Sequence, residues 1–92
     1  MRYAIGMLEE SGSIIGLEIY SPEGIFIGKV DDLTVDPSNR AVSGLLVREP
    51  SPVVADKGVM VKIPYRWVQA VGDVVILKTF PKHVNIDGTF IS

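Results

Sequence analysis

Apolar and polar residues alternate along most of this chain with a period of two, which is the pattern of β-strands that bury one face. In one such stretch Val59, Val61 and Ile63 share one face, while Met60 and Lys62 share the other. No segment shows an apolar stripe with the 3.6-residue period of a helix. The pattern predicts six strands, at about residues 16–20, 25–36, 41–48, 59–63, 68–71 and 74–79.

Turn-forming residues separate these strands at short intervals, as in small barrels and sandwiches. Pro64 suits the first position of a helical turn, because a residue there needs no N–H donor. Residues 65–67 are therefore predicted to form a single helical turn that closes one end of a barrel, with Trp67 directed into the core. The fold expected from the pattern is all-β, a small six-stranded β-barrel with one short helical turn.

The second predicted strand changes its inward parity along its length. Phe26 and Val30 keep one parity and Leu33 keeps the opposite one. A β-bulge at Asp31 and Asp32 would produce this change and would bend the strand, as closure of a small barrel requires. The alternative is an ordinary long strand with mixed faces.

The last predicted strand is apolar on both faces. Val74 and Ile76 point one way, and Val75 and Leu77 point the other. A barrel has one interior, so the second face needs another cover, which terminal segments or a second subunit would supply. The apolar share is also high for a small chain, with 47% hydrophobic residues and a mean hydropathy of +0.31. Because exposed apolar surface often marks association sites, we expect a homodimer.

The composition indicates which classes of partner the protein can bind and where in the cell it is expected to lie. A chain of 92 residues suits one compact domain. Nine basic and eleven acidic residues give a net charge of −2, without the excess of cations that a nucleic acid partner requires. The absence of cysteine fits a reducing compartment, so a cytoplasmic location is predicted. No apolar run approaches the roughly 18 residues of a membrane span, so no membrane insertion is expected.

The residues that could carry chemistry are few. His83 is the one histidine and has no cysteine or second histidine with which to bind a transition metal, so a solvated side chain is expected. Asp31, Asp32 and Asp36 lack the spacing of a calcium loop. No nucleophile has an evident base beside it. We therefore predict that the protein is not an enzyme and has no catalytic residues, cofactor or metal site.

Two segments are predicted to contact a protein partner. The loop 49–58 contains Pro50, Pro52, Val53 and Val54. The prolines limit its conformational freedom and so lower the entropy cost of ordering it, and the two valines offer apolar contact. Tyr65 and Arg66 belong to residue types that are enriched at interface hot spots. The alternative for the loop is a solvated connector without a binding role.

The chain resembles a PRC-barrel domain over residues 13–79. The resemblance lies in the segments Gly16-Leu17-Glu18-Ile19, Gly24 to Asp32, Ala41 to Val47 and Ile63 to Ile76. It implies that Gly24 and Gly28 shape the first hairpin and that Gly72-Asp73 makes the last tight turn. It leaves an N-terminal segment, 1–12, and a C-terminal segment, 80–92, which is expected to cover a barrel edge.

The resemblance also implies a type of function. Stand-alone archaeal proteins of this length resemble the chain, and some are adaptors at the cell-division ring, so a non-enzymatic protein–protein interaction adaptor is predicted. The alternative is a ribosome-assembly or RNA-processing factor that binds a ribosomal protein, which the acidic balance of the chain would suit.

Overall fold

A computed structural model describes residues 14–86 and the backbone of residues 90–91. This part of the chain contains β-strands and a short 3-10 turn at Tyr65–Trp67. The strands are β1 (Glu18–Tyr20), β2 (Phe26–Lys29), β3 (Asp32–Asp36), β4 (Ala41–Val47), β5 (Val61–Pro64), β6 (Val68–Val71), β7 (Val75–Leu77), β8 (His83–Val84) and β9 (Phe90–Ile91). The predicted all-β class and the predicted helical turn are confirmed.

The strands form three sheets. One has four strands in the order β2-β1-β7-β6, the second has three in the order β3-β4-β5, and the third pairs β8 with β9. Strand β1 is antiparallel to β2 and parallel to β7. The strands outnumber the six predicted because the second predicted strand is divided into β2 and β3, and because the C-terminal segment adds β8 and β9.

The division between β2 and β3 explains the change of parity in the sequence. The N–H of Val30 donates to Leu17 O at 3.0 Å in the four-stranded sheet, whereas the N–H of Asp31 donates to Leu46 O at 2.8 Å beside β4. The chain therefore passes from one sheet to the other at this point. The bulge predicted at Asp31 and Asp32 is wrong, because a change of sheet produces the change of parity.

A bulge does occur earlier in the same segment. The pairing of β1 with β2 shifts between Ile19, which faces Gly28, and Tyr20, which faces Phe26. Ile27 and Gly28 are consequently both buried, and Phe26 and Lys29 both point outward. The inward position expected for Phe26 from its shared parity with Val30 is therefore wrong. The bulge thus sets which residues of β2 appear on the outer face of the four-stranded sheet.

One hydrophobic core joins the inward faces of the two larger sheets. Trp67 is half-buried and packs against this core, and its ring meets Phe80 edge-on with the centroids 6.2 Å apart. The largest fully buried side chains come from both sheets and from the segment before β1: Ile14, Ile19, Ile27, Val30, Leu45, Val47, Ile63, Val75 and Leu77.

The C-terminal segment packs on the same core. Phe80 lies against it and Val84 is only 4% exposed. Strand β8 pairs with β9 in an antiparallel register, Val84 facing Phe90 along the backbone. Residues 87–89, which lie between β8 and β9 in the sequence, and residues 1–13 lie outside the described part of the chain. The proposed division at residues 12 and 79 stays a prediction.

Candidate functional site

The loop between β4 and β5 is held in a defined conformation by its own backbone. The N–H of Ser51 donates to Ile27 O at 2.8 Å, which ties the loop to β2. The N–H groups of Val54 and Ala55 both donate to Ser51 O, at 3.0 and 3.1 Å. These hydrogen bonds form a tight turn around Pro52, so the loop is ordered before any partner binds.

The segment around β8 lies along this loop. The N–H of Val84 donates to Val54 O at 2.8 Å, and the N–H of Asp56 donates to Val84 O at 3.0 Å. Ala55 and Val84 pair as a parallel bridge, and the side chains of Val54, Ala55 and Val84 are all buried. The loop and the C-terminal segment therefore form one packed unit.

The side chain of His83 links β8 to the loop on the outer side of this unit. Its Nε2 lies 2.7 Å from Asp56 Oδ1, and its Nδ1 lies 3.2 Å from Val53 O. The second carboxylate oxygen of Asp56 accepts the N–H of Ile86 at 2.8 Å. The expectation of a solvated histidine is wrong, because the imidazole side chain is 26% exposed and bridges two segments.

The bridge favours the charged imidazole. A carbonyl and a carboxylate both accept hydrogen bonds, so both ring nitrogens must donate, which only the imidazolium can do. The Asp56 carboxylate, and after it the Val53 carbonyl, accordingly raise the pKa of His83 above its ordinary value.

This shift predicts a pH dependence of stability. A histidine whose pKa is raised on folding stabilises the protein fully below its unfolded pKa of about 6.5, and that contribution is lost as the pH rises through the folded pKa. We expect the melting temperature of the protein to exceed that of a His83→Gln variant at about pH 5.5, and the difference to shrink at alkaline pH. Thermal unfolding of both proteins across this range tests the prediction. A difference that grows with pH would contradict it.

Two strongly exposed apolar side chains, Val53 and Ile86, belong to residues that are hydrogen-bonded within this unit, and a third, Met60, lies beside Val84 and Ile86. Val53 is 66% exposed, Met60 is 60% exposed and Ile86 is 74% exposed, the highest values among the large hydrophobic residues of the described chain. Met60 and Ile86 line a common groove beside β5, which Lys62 also lines. We call Val53, Met60 and Ile86 the apolar loop surface.

The four residues predicted to contact a partner differ in their exposure to solvent. Val53 is exposed, but Val54 is 3% exposed and belongs to the core, so its side chain is not presented to a partner. Arg66 is exposed, while Tyr65 is half-buried and packs on the core. The turn at 65–67 packs against β4. A partner-binding role for Val53, Tyr65 and Arg66 stays a prediction.

Two members of the apolar loop surface were not predicted. Met60 had a sequence signal, because it stands opposite in parity to Val59 and Val61, which are buried. Ile86 had none, because its position depends on the hydrogen bond from its N–H to Asp56, 30 residues earlier in the chain.

The acidic residues considered for a cation site have protein partners instead. Asp31 accepts the N–H of Arg48 at 2.7 Å, and Asp32 lies 3.7 Å from the Arg48 guanidinium. Asp36 accepts hydrogen bonds from the hydroxyl and N–H of Ser38, which lower its pKa. In the part of the chain that the structure describes, no three His, Cys, Asp or Glu residues are grouped so as to hold a metal ion. Nor does any helix there have the length and apolarity needed to cross a membrane.

Comparison with known proteins places these features in a family context. The model of the PRC-barrel domain family matches residues 8–84, which include β1 to β8 and the loop that β8 contacts. The uncharacterized protein MJ1118 of Methanocaldococcus jannaschii is 38% identical over 71 residues. That alignment covers 74% of this chain and 80% of the relative.

Proposed function

Because the chain belongs to the PRC-barrel domain family, whose domains mediate protein interactions, we propose that it is a non-enzymatic adaptor that captures a partner protein through the apolar loop surface. The observation that carries this proposal is the strong exposure of three apolar side chains at one hydrogen-bonded unit: Val53 and Ile86 are bonded to it through their backbone, and Met60 lines a groove with Val84 and Ile86. Exposed apolar side chains are costly in water and gain free energy when a partner covers them.

The rigidity of the unit supports the same proposal. The turn at Ser51 and the His83–Asp56 contact hold the loop in place, so binding need not order it. Less conformational entropy is then lost on association, and more of the gain from apolar burial appears as affinity. Lys62, which also lines the groove, adds a positive charge that suits an acidic group on the partner's contact surface.

The partner class is also part of the proposal. We infer an adaptor at the archaeal cell-division machinery, acting in the cytoplasm as a homodimer without direct contact to nucleic acid. Its support is the resemblance to stand-alone archaeal members of this family and the archaeal origin of the relative MJ1118. The net charge of −2 disfavours a nucleic acid partner, because binding to phosphates requires an excess of cations. A ribosome-assembly or RNA-processing factor that binds a basic ribosomal protein is the alternative that the experiment must separate.

We expect serine at Val53, Met60 and Ile86 to reduce partner capture about tenfold or more, because these substitutions remove the apolar contacts while leaving the core intact. The measurement is affinity capture of tagged protein from the lysate of its native host, at low and high salt, with quantitative mass spectrometry. Division proteins retained at high salt and lost in the triple variant are the expected result.

The control carries serine at Ile15 and Val35, which are 48% and 42% exposed but lie outside the apolar loop surface. It should capture as much partner as the unmodified protein does. Equal capture by the triple variant would overturn the proposed surface. Recovery of ribosomal proteins alone, lost at high salt, would overturn the cell-division role in favour of the assembly-factor alternative.

A further inference from the structure

An apolar row crosses the outward face of the four-stranded sheet. Tyr20 of β1 faces Phe26 of β2 and Ile76 of β7, and Ile76 faces Ala70 of β6. The inward face of the same strands has a comparable row, in which Ile19 faces Val75. The four outward residues, Phe26, Tyr20, Ile76 and Ala70, are called the outer row.

The outer row is partly accessible to solvent. Phe26 is 38% exposed, and the other three side chains are half-buried. The Tyr20 and Phe26 rings pack edge-on with their centroids 5.7 Å apart, so the aromatic part of the row forms one continuous apolar surface. An outward sheet face that meets only water usually carries polar residues, whereas this row resembles a face that packs against another surface.

One charge of each sign stands beside the outer row. Glu18 of β1 faces Lys29 of β2, and both lie on the outward face with Tyr20 and Phe26. The Tyr20 hydroxyl donates to Glu18 Oε1 at 2.8 Å, which fixes the carboxylate beside the row. An interface about a two-fold axis brings the same surface of two copies together, so it requires a surface that is complementary to itself. Glu18 and Lys29 lie side by side at one side of the row, so a two-fold axis between β1 and β2 brings each charge opposite its counterpart and meets this requirement.

We propose that a second copy of this chain covers the aromatic end of the outer row, with β1 and β2 of the two four-stranded sheets packed face to face about a two-fold axis that runs between these strands. Lys29 of each copy then meets Glu18 of the other, and Tyr20 of each copy likewise meets Phe26 of the other. Packed sheets lie about 10 Å apart, a distance that large side chains such as Tyr20 and Phe26 fill. This inference rests on the homodimer in the proposed function and names the surface that forms it.

Exchange of the two charges tests the proposal. Lys29→Glu places a second carboxylate opposite Glu18 of the other copy at two symmetric positions, and Glu18→Lys opposes two ammonium groups in the same way. We expect either variant to raise the dissociation constant of the homodimer roughly tenfold or more, since opposed like charges disfavour association. An equimolar mixture of the two variants should restore association, because each acidic surface then meets a basic one. Sedimentation equilibrium measures all three samples.

The mixture separates contacts between copies from contacts within one copy. The cross-strand pair of Glu18 with Lys29 inside a subunit is broken in each variant whether or not the other is present, so only an intermolecular contact can be rescued by mixing. Lys62→Glu is the matched control, because it makes the same charge change on the exposed side of β5 in the other sheet. It should leave the dissociation constant unchanged.

The possible failures are distinguishable. A stable dimer that neither variant weakens, or that mixing does not rescue, would overturn the surface and leave the homodimer in place. An unmodified protein that is monomeric at about 100 µM would overturn both the surface and the homodimer. Capture of a partner through the apolar loop surface is measured separately and would be unaffected by either result.

Discussion

A Gly28→Ala variant is expected to lose about 3 kcal/mol of its free energy of unfolding, because a methyl group does not fit at this position. A Cβ atom there would lie 2.6 Å from Cγ1 of Val47 and 3.5 Å from the Cα of Pro50. Val47 is completely buried, so its side chain cannot move into solvent. The φ angle of Gly28 is +157°, which side chains with a Cβ rarely adopt. Crowding and backbone strain therefore act together.

Gly72→Ala is the matched control for this substitution. A Cβ at Gly72 would meet nothing within 4 Å, and its φ is not among the positive values of the chain. We expect its stability to change by less than about 0.5 kcal/mol. Urea denaturation of both variants and of the unmodified protein measures the difference. Equal stability of the two variants would contradict the close contact between β2 and the end of β4.

The sequence pattern predicted the local part of this fold well. In β5 the alternation placed Val61 and Ile63 on the buried face and Lys62 on the exposed face, as the structure has them. Pro64 likewise marked the start of the 3-10 turn. These features depend on residues a few positions apart, where backbone geometry alone relates one side chain to the next.

Features that depend on distant residues could not be predicted in the same way. The parity change near Asp31 was visible, but the pattern does not say which strand pairs with each half of the segment. A bulge and a change of sheet give the same alternation. His83 and Asp56 are 27 residues apart, and the parallel pairing of Ala55 with Val84 brings them within 2.7 Å. The candidate surface was therefore only partly predictable, with Val53 identified and Ile86 missed.

The two adjacent valines of the loop show the limit of the pattern most directly. Val53 and Val54 have the same residue type and neither belongs to a strand, so period-two alternation says nothing about which is buried. The turn closed by Ser51 O decides it, since it directs Val54 into the core and leaves Val53 66% exposed. Adjacent positions thus carry different roles, one in stability and one in the proposed binding.

Val54→Ser is expected to lower the free energy of unfolding by about 3 kcal/mol, because it removes buried methyl groups and places a hydroxyl among apolar side chains. For a domain of this size that corresponds to a fall in melting temperature of about 12 °C or more. Val53→Ser changes the same residue type at an exposed position and should stay within about 0.5 kcal/mol of the unmodified protein. Thermal and urea denaturation of both variants measure the contrast.

Partner capture should show the opposite order of effects at temperatures where both variants are folded. Val53→Ser is expected to weaken capture without loss of stability, because its side chain belongs to the apolar loop surface. Val54→Ser, kept well below its melting temperature, should retain that surface and therefore most of the capture. A Val54→Ser protein as stable as the unmodified one would contradict the burial of Val54. Loss of capture in Val54→Ser alone would assign the contact to Val54 and remove Val53 from the binding surface.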